Sequence, residues 1–429
     1  MIGRAFAKKQ FVNFTALGRT TQTCSLNEAS SRGFMTMNSS AQKQESVQAK
    51  AELGKSFMGS QRSFSTKIPS YFKEYQQIFE KSGTLEKIVP RKIETHQELE
   101  NMGCAMYRPI DTDIQTVNKG LFDPLYDLLD CGGKRWRPVY GMILASDYGV
   151  DIRDFKTNES LYHLLGLAEI IHNASLICDD IEDKSLMRRG QPCAYIKYGQ
   201  DVAINMGCYL MTYVMTDYLL HFNGETPELK AKIGAEISKE ISCLHFGQNW
   251  DICWHNNYNF PNQDEYFQMT ASKTGVIPRL IATLVSTLYG SDPEKITRIQ
   301  RMTDDLGIAF QIQDDVIAIE SDLYAQERGI FGEDIHEGKR TLMVIHSCNN
   351  LPKKDAKRLV DILNLHTEDE DIIREAIDLI NSTNSIEYAK DVARGLVNNF
   401  HSEMDELIVK DETKSQLREF AEFLTNRDI

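Results

Sequence analysis

Two aspartate pairs carry the residue types and spacing that could do chemistry. The first lies in Asp179-Asp180-Ile181-Glu182-Asp183, which follows the apolar run Ala174-Ser175-Leu176-Ile177. On a helix, Asp179 and Asp183 sit one turn apart on one face, where like charges repel and weaken the helix. A divalent cation bridging the two carboxylates removes that cost. Hard oxygen ligands with no His or Cys beside them suit Mg²⁺, which retains waters and shares a substrate phosphate. Taken alone, such a cluster reads equally well as a solvated helix end. The second pair, in Phe310-Gln311-Ile312-Gln313-Asp314-Asp315, ends another apolar helix 135 residues later. Two pairs facing each other across a bundle form a known setting for a metal site. Buried carboxylates without a cation are costly, so one shared site is favoured over two chance patches.

Basic residues supply the complement. Arg188 and Arg189 follow the first cluster, Lys273 precedes Thr274-Gly275, and Lys339 ends Asp334-Ile335-His336-Glu337-Gly338-Lys339. Upstream, Gly132-Gly133-Lys134-Arg135-Trp136-Arg137-Pro138 places cations on the first turn of a helix, a ready anion site. A single surface Lys means little; together these residues describe a divalent cation and two separate diphosphates.

The elements that must hold them are helical almost throughout. From Pro69 onward, apolar residues recur at three- and four-residue spacing, as in Leu161, Leu164, Leu165, Leu167, Ile170 and Ile171. Breakers such as Asp130-Cys131-Gly132-Gly133 and Gly190-Gln191-Pro192 separate roughly ten to thirteen such windows. Alternating strand patterns are nearly absent. The nine cysteines include no C-x-x-C pair, which argues against a zinc ribbon or a thioredoxin-like site. No stretch reads as a transmembrane segment; Ala203–Leu220 comes closest and carries Asn205 and Asp217.

Charge divides the chain. Residues 1–68 hold ten Lys and Arg, three Glu and no Asp, a net of +7, which leaves −21 for residues 69–429. That Ser-rich, acid-poor segment is expected to be a mitochondrial transit peptide, with a disordered extension of a cytoplasmic or other organellar protein as the alternative. The acidic body argues against nucleic acid as a ligand.

In order and spacing these motifs resemble the trans-isoprenyl diphosphate synthase family, and within it the eukaryotic geranylgeranyl diphosphate synthases. The resemblance spans about 123–429. It rests on Gly132-Gly133-Lys134-Arg135-x-Arg137-Pro138, His172 leading into the Asp179 cluster with Arg188-Arg189-Gly190, and His245-x-Gly247-Gln248-x-x-Asp251. Lys273-Thr274-Gly275 and Phe310-Gln311-x-Gln313-Asp314-Asp315, followed by Asp334-Ile-x-Glu-Gly-Lys339, complete it. It implies an all-α bundle around a deep central cavity, a homodimer, and condensation of isopentenyl diphosphate with an allylic diphosphate. Asp179, Asp183 and Asp314 would hold three Mg²⁺ ions, with Mn²⁺ able to substitute. Arg188, Lys273 and Lys339 would contact the allylic diphosphate; Lys134, Arg137, His172 and Arg189 would bind that of isopentenyl diphosphate. Thr274 and Gln311 would line the reacting carbons, while His245 and Asp251 would support them. The chain departs from the family at Ala318, where many relatives carry an Asp, at Trp136 and at Asn249-Trp250.

Product length follows, in this family, from what blocks the cavity. Ala174 and Ser175 are small, so the expected floor lies deeper, near Met211 and Thr212. Glu182 and Ala318 point to a C20 product, whereas the small floor leaves a longer quinone side chain as the alternative. A terpene cyclase would have no use for the isopentenyl residues, and a non-catalytic partner subunit would be expected to lose its aspartates.

Overall fold

Three of the helices that build the site begin at a side chain that closes the first turn. Thr226 accepts from the Leu229 N–H and Asp292 from the Lys295 N–H, each with Pro at the first helical position, and Asn262 forms a capping box with Glu265. The computed structural model describes residues 68–103, 113–321 and 330–426, all in one unit. The expected leader lies outside the described residues apart from Ile68.

Twelve helices of ten or more residues account for most of the described chain, within the range the periodicity predicts. Those that position the candidate residues are α1 (Trp136–Asp147), α2 (Glu159–Glu182), α3 (Gln200–Thr216), α4 (Pro227–His255), α5 (Gln263–Lys273), α6 (Val276–Leu288), α7 (Pro293–Glu320) and α8 (Ser385–Leu407). The only strands among the described residues are a hairpin, β1 (Met187–Arg188) and β2 (Gln191–Pro192), in which Arg188 faces Gln191.

Two apolar cores meet along α7. Ile299, Met302, Leu306 and Phe310 join the larger core with α1, α2, α3 and α6. Ile308, Ile312, Val316 and Ile319, on another face, join the smaller core with Tyr266 and Leu342. Helix α7 is therefore buried on two sides, and Asp314 rides near its C-terminal end. Helix α2 is long and apolar enough to cross a membrane, more so than the stretch at 203–220. Its most apolar 18 residues are mostly buried among its neighbours and it ends in the aspartate cluster, the pattern of a central core helix.

Arg279 of α6 ties three helices, reaching Glu240 of α4 at 2.6 Å and Asp304 of α7 at 2.5 Å. Beside it, burial pushes the Asp305 carboxyl up to about 6, and the charges of Asp304 and Glu403 add to the shift. An acid whose folded value is raised contributes stability that is fully present below the unfolded value, about 4, and lost as pH rises through about 6. Asp305→Asn is therefore expected to raise Tm at pH 8 and to leave it unchanged near pH 4. Thermal denaturation at both pH values checks this, and an equal shift at both would contradict it.

Candidate active site

The first aspartate cluster occupies the last turn of α2, where three helices converge. Lys273, at the end of α5, places Nζ 3.0 Å from Asp179 Oδ1 and 2.5 Å from Asp251 Oδ2. Gln248 of α4 donates to Asp179 Oδ1 at 3.0 Å and to Glu182 Oε2 at 2.8 Å. This convergence depends on Gly247. A Cβ there would lie 2.5 Å from the Lys273 backbone nitrogen, so only glycine lets α4 touch the α5 backbone. On the other side, Lys339 Nζ reaches Asp183 Oδ2 at 3.2 Å and Glu337 Oε2 at 2.5 Å. Asp180 is buried and accepts a hydrogen bond from Arg188 Nε at 2.8 Å, which aims the guanidinium back across Asp179 at 3.5 Å.

Electrostatics in this cluster are uneven. Burial pushes Asp179 up, yet Lys273, Lys339 and Arg188 outweigh it and hold its carboxyl well below the usual range. Asp183 goes the other way: burial raises it by more than the charge of Lys339 lowers it, and the repulsion of Asp179 adds to the rise. Burial also drives Glu337 well above its ordinary value. The field of Lys339 is felt by Asp183 and Asp251 and also by Asp315, so it lies between the two clusters.

The second cluster is built on another close approach. A Cβ at Gly307 would lie 2.7 Å from Gly275 Cα, so α7 crosses the junction of α5 and α6 at backbone distance. One turn later Gln311 accepts from Thr274 Oγ1 at 2.6 Å. Gln311 in turn donates to Asp315 Oδ1 at 2.8 Å, and Tyr266 donates to Asp315 Oδ2 at 2.7 Å. Asp315 is thus a buried anchor that orients Gln311, while Asp314 beside it is half-buried.

A second basic group gathers around His172. Arg137 Nη1 donates to His172 Nε2 at 2.9 Å. Burial, then the charges of Arg137 and Arg189, push His172 well below its ordinary value, so the ring is neutral. Arg189 and Gly190 turn the hairpin with φ of 53° and 71°, both in the left-handed region that a tight hairpin turn requires. Arg189 is held in that uncommon conformation by donating to Leu128 O at 3.1 Å and Asn173 Oδ1 at 3.3 Å. Arg135 is instead structural, locked in a buried pair with Glu169 at 2.7 Å. Lys134 is exposed. Trp136 is buried against Phe310, ring centres 4.9 Å apart, and carries the Arg137 guanidinium over its face at 4.4 Å. It thereby links the glycine loop to the second cluster, a role that its departure from the family pattern did not disclose.

Of the expected floor residues, Ala174 is fully buried and Ser175 half-buried, its hydroxyl donating to His172 O at 2.8 Å. Met211 is half-buried against the larger core, and Thr212 is exposed with its hydroxyl on Cys208 O. His245 is exposed on α4. A cavity of about 190 Å³ among Ser82, Tyr162, His163, Asp217 and Phe222 lies at the opposite end of α2. It is about 24 Å from Asp179 at 1.5 Å per residue and includes none of the predicted residues. Sequence reasoning gave no role to Gln248, Asp180, Asp315, Tyr266 or Glu337. All but Tyr266 lie inside the quoted motifs, so position in a motif was the available signal.

The donor set fits a hard divalent cation. Asp183 Oδ1 is buried with no hydrogen-bond partner, and the carboxylates of Asp179, Asp183, Asp251 and Glu337 outnumber the ammonium groups of Lys273 and Lys339. An orphaned buried carboxylate oxygen is a costly arrangement that a cation satisfies.

Residues 118–380 match the model of the polyprenyl synthetase family. The geranylgeranyl pyrophosphate synthase olcC of Penicillium canescens is 32% identical over 274 residues, covering 64% of this chain and 76% of that protein. The geranylgeranyl pyrophosphate synthase dpasD of Apiospora sacchari is 36% identical over 233 residues, covering 54% of this chain and 66% of that protein. Among solved structures, the geranylgeranyl pyrophosphate synthetase of Pyrococcus horikoshii Ot3 superposes with a TM-score of 0.67 at 26% identity, over 84% of this chain and all of that one. The polyprenyl synthase of Caulobacter crescentus CB15, solved with calcium and isoprenyl diphosphate, has the same fold, with a TM-score of 0.67 at 19% identity over 86% of this chain and 100% of that one.

The contact at Gly247 gives a direct test of the geometry. Gly247→Ala forces α4 away from Lys273 and shifts Gln248 off Asp179. We expect a loss of activity of at least about 100-fold, since misplacement by about 1 Å has that effect. The conservative Gln248→Glu should lose activity without moving the helices. Steady-state kinetics with circular dichroism distinguishes these effects; a Gly247→Ala protein with unchanged rate would refute the close-contact role.

Proposed function

The chain belongs to the polyprenyl synthetase family, and from that premise we propose that it is a Mg²⁺-dependent trans-prenyltransferase making geranylgeranyl diphosphate. It joins isopentenyl diphosphate to dimethylallyl, geranyl and farnesyl diphosphates and releases diphosphate. The observation that carries this reading is the presence of two separate groups of basic side chains, each suited to a diphosphate. One is the carboxylate–lysine cluster around Asp179, Asp183, Lys273 and Lys339; the other is the Arg137–His172 pair with Arg189. A terpene cyclase needs only the first.

Asp179, Asp183 and Asp314 would hold three Mg²⁺ ions, which supply positive charge against the leaving diphosphate. Lys273, Lys339 and Arg188 stand at their carboxylate partners, ready to shift onto that diphosphate as the C–O bond of the allylic substrate breaks. Thr274 and Gln311, fixed to each other at 2.6 Å, present hydroxyl and carbonyl dipoles to the allylic cation. Arg137 and Arg189, with neutral His172 and exposed Lys134, hold isopentenyl diphosphate so that its double bond meets that cation. The released diphosphate can take the final proton, so no protein base is needed.

Small Ala174 and Ser175, one turn before Asp179 on α2, leave room for the chain to grow past them, and Met211 with Thr212 would form the floor of a C20 site. A longer chain for a quinone is the second reading, favoured by the exposure of Thr212. That exposure also supports a homodimer. Ile204 of α3, Leu219 just past its end, and Phe246 and Trp250 of α4 are large apolar side chains left exposed on neighbouring elements. A second copy packed there would cover them and close the floor. For residues 1–68 we retain the reading of a mitochondrial leader.

Incubation with Mg²⁺, labelled isopentenyl diphosphate and each allylic diphosphate should give a C20 alcohol after dephosphorylation. Asp179→Ala should lower the rate by at least about 1,000-fold, in line with removal of a principal charge-stabilising group. Mass spectrometry sizes the product: a ladder beyond C20 would support the quinone reading, and unlabelled cyclic hydrocarbons would overturn the function. Separately, Phe246→Glu with Trp250→Glu should convert a dimer into a monomer in sedimentation. Unchanged mass would place any dimer contact elsewhere.

A further inference from the structure

One group of ligand atoms beside the catalytic cluster differs chemically from the rest. Asp183, Asp251 and His255 each offer an atom within 4.8 Å of the others. That is close to the span of two opposed ligands with metal bonds of about 2.1 Å, roughly 4.2 Å. All three residues are more than nine-tenths buried, with exposures of 8%, 5% and 7%. Asp251 and His255 stand four apart on the last turns of α4, so they share one face, the same spacing that lets two side chains of a helix grip a single ion. Asp183 comes from the end of α2.

Two side-chain atoms of these residues are buried without a hydrogen-bond partner: Asp183 Oδ1 and His255 Nδ1. An imidazole nitrogen and a carboxylate oxygen left unsatisfied in the interior each cost free energy, and one cation satisfies both. The imidazole also selects which cation. Mg²⁺ prefers oxygen and dehydrates reluctantly, whereas Mn²⁺, Co²⁺ and Zn²⁺ accept mixed nitrogen and oxygen sets.

We propose that Asp183, Asp251 and His255 form a transition-metal site distinct from the all-oxygen Mg²⁺ positions, sharing Asp183 with them. Its occupation has a consequence for the neighbouring cations. Asp183 now holds Lys339 at 3.2 Å and Asp251 holds Lys273 at 2.5 Å. An ion on the two carboxylates takes over their charge and releases both ammonium groups toward an anionic ligand. The site therefore couples metal occupancy to diphosphate affinity.

The test uses the full chain, stripped with chelator and then given one equivalent of Mn²⁺, with no substrate present. Pulsed electron paramagnetic resonance should show nitrogen coupling to the bound Mn²⁺. His255→Gln should abolish the coupling and weaken Mn²⁺ binding at least about 10-fold, the loss typical of a ligand-shell change. Mg²⁺ binding, read by calorimetry, should change less than about 3-fold, because Mg²⁺ draws little from an imidazole. His366→Gln, the neighbouring imidazole with its ring centre 6.4 Å away, should keep the coupling. His255→Asn serves if the Gln variant melts early. Absence of nitrogen coupling in the unmodified chain, its persistence without His255, or equal losses for Mg²⁺ and Mn²⁺ would each overturn the proposal. Binding is read without turnover, so a chain that holds Mn²⁺ through nitrogen yet transfers no prenyl group keeps this site and loses the catalytic reading.

Discussion

The structure depends on how an excess of buried carboxylate is kept tolerable. Asp179, Asp183, Asp251 and Glu337 meet in one region with Lys273 and Lys339 between them. Moving a carboxylate from water into the interior costs several kcal/mol even after relaxation, and a partner repays this only with good geometry. The two lysines balance Asp179 and Asp251 but leave Asp183 and Glu337 pushed upward. An arrangement with this residual imbalance is suited to receive cations and a polyanion together, since neither alone would satisfy both the carboxylates and the lysines. The same imbalance explains why three helix ends must be held rigidly: a looser cluster would relax by admitting water.

Each aspartate pair divides its labour. Asp180 and Asp315 are buried and hydrogen-bonded to protein, the first to Arg188 and the second to Tyr266 and Gln311. Their neighbours Asp179 and Asp314 are more exposed. Consecutive residues on a helix point about 100° apart, so one member of a pair can face the site while the other faces the packing. A doubled aspartate therefore supplies a ligand and its own support from adjacent positions. The support is specific: Asp180 orients the arginine that follows it, and Asp315 fixes the amide that lines the reacting carbons.

Much of this was legible in the chain. Periodicity gave the helical class, and the two Asp pairs with Lys273, Lys339 and the Gly-Gly-Lys-Arg loop marked where charge would gather. What could not be read was which member of each pair turns inward, because helix phase is set by packing against α5 and α7. Arg135 and Arg137 look alike in sequence, yet one is spent on buried Glu169 and the other meets His172. Tyr266 carries no motif at all; its hydroxyl becomes important only once α5 lies along α7. His255 likewise reads as the end of an apolar helix until α2 brings Asp183 to it.

Glycine contacts explain why that assembly is so close. Gly247 presses α4 onto the backbone at Lys273, and Gly307 presses α7 onto Gly275. Both contacts lie on the short segment 272–275, whose central residues are Lys273 and Thr274, one for the anion and one for the carbon chain. A side chain at either glycine would force the helices apart. Gln248 would then miss Asp179, and Gln311 would miss Thr274. The two contacts fix the same segment from opposite neighbours, so the metal-facing and carbon-facing groups share one backbone reference. Because the segment is shared, a displacement of either helix is transmitted to both halves of the site. The precision needed to ionise one substrate beside another is in this way placed in backbone packing, where it is stiffest.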